Sequence, residues 1–148
     1  MYKDILVYFH IVISVLLILL SLYIVIRSFF GVKGRVTFSK FQDIQLSIVA
    51  VIFLYLELVL GILLYAIYIN KLETLITQAE AKVYFSTRFW PAEHAILMFF
   101  AIIFGHLGLV YAKNLSEDKQ KFQKTLLYFG LSFVLILISI TMNRLRNA

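Results

Sequence analysis

Four long apolar runs leave this chain few ways to fold. Residues 5–26, 44–69, 91–112 and 125–142 enclose no lysine or arginine, and their only acids are Glu57 and Glu93. Each run is close to the ~20 residues a helix needs to cross a bilayer. Lipid offers the backbone no hydrogen-bonding partner, so a spanning segment of this length must satisfy its own N–H and C=O groups as a helix. The expectation is an all-α integral membrane protein with four transmembrane helices in one bundle.

Composition removes most other classes. The 148 residues are 62% hydrophobic and 15% charged, far from soluble-protein usage. Pro91 is the sole proline and glycines number six, so no flexible linker divides residues 1–148, and a single membrane domain is expected. The chain has no cysteine, which excludes disulfides, cysteine-ligated metals, thiol catalysis and haem attachment through Cys-x-x-Cys-His. The 14 Lys and Arg against 8 Asp and Glu lie around the apolar runs and form no basic, aromatic stripe, so no nucleic acid is expected as a partner. Nor is there a nucleophile–base set, a pair of carboxylates or a glycine-rich phosphate loop, so the chain is not expected to be an enzyme on its own.

The first run follows a four-residue Met-Tyr-Lys-Asp head. It lacks a small-residue cleavage site and is longer than a signal-peptide core, so an uncleaved helix is expected. His10, Ser14, Leu17 and Ser21 recur on one helical face. A basic loop, residues 27–43, carries Arg27, Lys33, Arg35 and Lys40. On the second run Ala50, Glu57, Gly61, Leu64 and Tyr68 share a face, with Tyr55 and Glu57 near the middle. Residues 70–87 place Leu72, Leu75, Ile76, Ala79 and Val83 at helical spacing among Glu73, Gln78, Glu80 and Lys82, which predicts a short amphipathic helix lying in the interface.

Arg88, Phe89 and Trp90 are interface anchors. Pro91 is expected at the first position of the third helix, where its missing N–H costs nothing. Glu93 then sits in the first turn, where the helix dipole favours an anion. His94, Met98, Ala101, Gly105 and Gly108 make a small-residue face suited to close helix approach. A polar loop, residues 113–124, leads to the fourth run, whose stripe is Thr125, Phe129, Ser132, Ile136, Ser139 and Asn143.

Four spans put both termini and residues 70–87 on one side, here side A, and the two basic loops on side B. Side B carries 8 Lys and Arg (Arg27, Lys33, Arg35, Lys40, Lys113, Lys119, Lys121, Lys124) and side A carries 6 (Lys3, Lys71, Lys82, Arg88, Arg144, Arg146). The positive-inside rule then places side B in the cytoplasm and both termini in the periplasm of a bacterial inner membrane.

Two histidines stand out. The first and third helices both enter from side A, and His10 and His94 lie within a few residues of their starts, hence at nearly equal depth. Two inward imidazoles at one depth suit axial ligation of a haem iron in a bundle. Met98, one turn on, is an alternative ligand, and Lys71, Arg88 and Arg144 are rim cations for haem propionates. The competing reading is helix packing and interhelical hydrogen bonding. His106 lies about 120° around the helix from His94 and is expected to serve packing or a headgroup contact. Glu57 is expected to be protonated or paired, either as a proton-exchanging group or bonded to a Ser or Tyr of a neighbouring helix.

Several segments carry a family resemblance: Phe9-His10, Leu58-Val-Leu-Gly61-Ile-Leu-Leu-Tyr65, Lys119-Gln-Lys121-Phe122-Gln-Lys124 and above all Arg88-Phe-Trp-Pro-Ala-Glu93-His94. With these the chain resembles small four-span proteins of Bacteroidota labelled as b-type cytochromes, which often read Arg-Phe-x-x-x-Glu-His at the third helix. The resemblance implies a membrane-bound electron-transfer protein holding haem b, with His10 and His94 as its carried-over ligands. Where the family often has a His and a Gln before the Leu-x-Gly run of helix 2, this chain has Tyr55 and Glu57. The functional expectation is therefore a b-cytochrome-like component beside a quinone or a larger respiratory membrane complex. Two alternatives stay open: a cofactor-free accessory subunit of other membrane proteins, and a small proton or ion conduit using Glu57.

Overall fold

The computed structural model describes the backbone of residues 2–73 and 81–146, and side-chain surroundings for 3–67 and 92–142. It contains four long helices: α1 (Tyr2–Val32), α2 (Leu46–Glu73), α3 (Ala81–Asn114) and α4 (Asp118–Arg146). No strand occurs among the described residues. All four are long and apolar enough to cross a membrane, over Lys3–Val32, Lys40–Ile67, Ala92–Asn114 and Asp118–Met142. The expected four-helix membrane architecture is thus present.

The helices pack as a square, α1 against α2 and α4, and α3 against the same two. Residues early in α1 and α3 meet residues late in α2 and α4, so neighbours alternate in direction. The expected inward stripes are the buried ones. Leu17, Ser21 and Ile24 face inward from α1, Ala50, Leu54 and Glu57 from α2, and Met98, Ala101 and Leu109 from α3; α4 contributes Thr125, Phe129, Ser132, Ile136 and Ser139. Large apolar side chains instead cover the outside, among them Leu19, Val59, Ile62, Ile96, Phe99 and Val134. Such a surface suits a bilayer as solvent and would be a liability in water.

Small residues set how closely α3 approaches its neighbours. A Cβ at Gly105 would lie 2.6 Å from Leu54 Cδ1, and one at Gly108 would lie 2.6 Å from Phe129 Cδ2. The buried hydroxyls act as interhelical and local glue: Ser132 Oγ donates to the Ala101 carbonyl at 2.8 Å, and Ser47 Oγ to the Asp43 carbonyl at 2.8 Å.

Helix ends depart from the sequence expectation. The basic loop expected over 27–43 shrinks to residues 33–39, because α1 continues through Arg27 to Val32 and a π-helical segment, Lys40–Gln45, leads into α2. Arg27 can stay on the helix because its charge is matched. Its Nε and Nη2 donate to Asp43 Oδ1 and Oδ2 at 2.7 and 3.0 Å, and Nη2 also donates to the Thr37 carbonyl at 2.8 Å. Asp43 Oδ2 in turn accepts from Ser39 N at 2.6 Å. At the far end of side B the polar loop expected over 113–124 reduces to 115–117, with Asp118 in the first turn of α4 where the dipole favours it.

The third helix likewise starts earlier than expected. Pro91 lies inside α3, ten residues after Ala81, and not at its first turn. A proline there removes one intrahelical bond. Of the amphipathic helix expected over 70–87, Asn70–Glu73 closes α2 and Ala81–Thr87 opens α3, while residues 74–80 lie outside the described residues.

Candidate functional site

Each of the four helices contributes one polar residue to a single centre near the side A end of the bundle. His10 comes from α1, Glu57 from α2, His94 from α3 and Ser139 from α4. The imidazoles of His10 and His94 meet across the diagonal, their ring centres 6.2 Å apart and their planes at 73°. This is the juxtaposition expected from equal depth and matched faces.

The other diagonal holds the two rings in place. His10 Nδ1 lies 2.5 Å from Glu57 Oε2. The two groups are in contact, though neither His10 Nδ1 nor Glu57 Oε1 makes a hydrogen bond among the described residues. His94 Nδ1 lies 2.5 Å from Ser139 Oγ. Glu57 is 3% exposed and Ser139 is fully buried, whereas both histidines are half-buried. A buried carboxyl group is costly unless it meets a polar partner, and His10 is the group it meets; the Ser or Tyr partner expected for Glu57 is not.

Towards side B of this centre, Leu17, Leu54, Met98 and Phe129 are buried in one apolar core. Towards side A, the side chains of residues 68–91 and 143–148 lie outside the described residues.

The remaining expected residues divide. Met98 packs in the apolar core beneath His94. Arg88 lies on α3, Lys71 on α2 and Arg144 on α4, but their side chains are outside the described residues. Tyr55 and His106 do not belong to the centre. They face outward together, Tyr55 Oη 3.3 Å from His106 Nδ1, so His106 does not pack in the core. One member of the centre carried no recognised role in the sequence: Ser139 is His94's partner, and its signal was its place on the stripe Thr125, Ser132, Ser139. Glu57 stood out as a paired or proton-exchanging group, but His10 was not foreseen as the residue it meets.

The chain is thus a four-helix membrane bundle with a buried His–Glu, His–Ser centre. No protein-family model, curated protein or solved structure matches it.

Among the described residues no group of three or more His, Asp or Glu could hold a metal ion, so a site of protein ligands alone is not formed. The donor set does fit a group that needs only two axial ligands. Two imidazoles on different helices are the donor type that would hold a haem iron, and here their ring centres lie 6.2 Å apart. Each ring's Nδ1 faces a polar partner, as in histidines whose orientation at a metal is fixed by a second group.

Proposed function

We propose that this chain is a small b-cytochrome-like protein of the bacterial inner membrane, holding haem b between His10 and His94 and passing electrons beside a quinone or a larger respiratory assembly. The observation that carries the reading is the His10–His94 pair, with Glu57 and Ser139 against the Nδ1 of each ring. Bound there, a haem iron would supply a one-electron couple. The protein's part is to fix both imidazoles and exclude water from below with Leu17, Leu54 and Phe129. Arg88 and Arg144 remain the proposed partners of the propionates.

A conduit through the bundle is disfavoured by the same core. The buried residues between the centre and side B are mainly apolar, and the hydroxyls of Ser132 and Ser47 are committed to backbone carbonyls.

The test is spectroscopic. Purified from haem-replete membranes, the wild type is expected to show a Soret band and a reduced α-band. His10→Ala and His94→Ala should each abolish the low-spin spectrum, and His106→Ala should retain it. Full spectra in both the His10 and His94 variants would remove the assignment.

A further inference from the structure

The Tyr55–His106 pair lies on the outside of the bundle, within the membrane. Both residues are exposed, and His106 sits about 10 Å inward of Lys113 along α3 at 1.5 Å per residue. The residues sharing their stripes, Ile52 and Val59 on α2 and Phe99 and Ile103 on α3, are exposed and apolar. Two polar side chains therefore bond to each other on a face that otherwise meets hydrocarbon.

Counting hydrogens shows that the pair cannot satisfy itself. A neutral imidazole carries one N–H and a phenol one O–H, while the contact between Tyr55 Oη and His106 Nδ1 uses only one donor. If the phenol donates, His106 Nε2–H is left over. If Nδ1 donates, the Tyr55 O–H is left over. Either tautomer leaves one donor pointing away from the pair, with no other partner for it among the described residues. Lipid chains offer no acceptor for it.

The geometry points to a binding site for a lipid-soluble carbonyl compound of the quinone class, its carbonyl oxygen accepting the spare hydrogen of the Tyr55–His106 pair and its apolar ring and tail lying along the α2–α3 face. A quinone carries its acceptor on an apolar body, the combination this face lacks. A second copy of the chain is the poorer fit, because the exposed residues sharing these stripes are large and apolar, not the small ones that let membrane helices approach closely. The site is on a different face from the His10–His94 centre and does not depend on haem being bound there.

The full chain in lipid nanodiscs is incubated with a short-chain menaquinone or with squalene, an isoprenoid without carbonyls, and retained ligand is measured by native mass spectrometry. The wild type should retain the menaquinone and not squalene. Tyr55→Phe with His106→Leu should bind it roughly five- to tenfold or more weakly, the loss expected for one or two hydrogen bonds. The isosteric Tyr55→Phe alone should give a smaller loss, and it provides a reading if the double variant is poorly folded. Equal retention of the two compounds, or unchanged menaquinone binding in both variants, would overturn the proposal. A dimer that the double variant dissolves, with no menaquinone retained, would overturn it in favour of self-association.

Discussion

Ser139 shows how little a residue must change to test the centre. It and Ser132 are both buried serines of α4, seven residues apart on one stripe, yet their hydroxyls do different things. Ser132 Oγ donates to the Ala101 carbonyl, while Ser139 Oγ meets His94 Nδ1. Ser→Ala removes one oxygen and no packing volume of consequence, so any difference between the two variants reports the partner. Loss of a group that orients a metal-bound histidine typically weakens metal affinity by about 10–100-fold. Ser139→Ala is accordingly expected to weaken haem retention by at least tenfold on that scale. Ser132→Ala should leave haem retention as it was and lower thermal stability by about 1 kcal/mol, the usual worth of a membrane hydrogen bond. Haemochrome titration and a thermal melt of each variant decide it; equal haem retention in the two would mean that Ser139 does not orient His94.

At the scale of the element, the apolar runs located the spans but not the helix ends. Hydropathy falls where a charge appears, and Arg27 looked like the end of the first helix. It is not, because Asp43 and the Thr37 carbonyl across the turn match it. A pairing that depends on residues 10 and 16 positions away cannot be read from local pattern. Pro91 misled in the same manner, since a proline at the edge of an apolar run is more often a first-turn residue than an interior one. The depth of His10 and His94 was legible because both lie close to the start of their spans on small-residue faces; their partners were not, since helices of unequal length slide past one another. The Arg27–Asp43 clasp makes an expectation of its own. Both side chains are largely buried, at 13% and 6% exposure, and removing one partner of a buried ion pair costs about 3–5 kcal/mol. Asp43→Asn should therefore loosen the 33–39 turn and raise trypsin cleavage after Lys33 and Arg35 severalfold. Unchanged cleavage would mean that Ser39 and the π-helical segment hold the turn without the clasp.

For the molecule as a whole, side B is held by short connections: a turn over residues 33–39, a three-residue connection, an ion-pair clasp, and lysines over aromatic rings, with Lys33 Nζ 4.2 Å from the Phe29 ring centre and Lys121 Nζ 4.4 Å from that of Phe38. The 8-to-6 distribution of Lys and Arg favours placing this side in the cytoplasm. The natural absence of cysteine gives a clean background for testing this. Single cysteines at Lys3, on side A, and at Arg35 and Glu117, on side B, sit on exposed positions. In intact cells whose outer membrane has been permeabilised, an impermeant thiol reagent should label Lys3→Cys at once. Arg35→Cys and Glu117→Cys should react only after the inner membrane is opened. The reverse pattern would invert the orientation, leaving the four-span architecture intact. Labelling of Arg35→Cys but not Glu117→Cys, or the converse, would break that architecture, because two connections on one side of an even-numbered bundle must share a compartment.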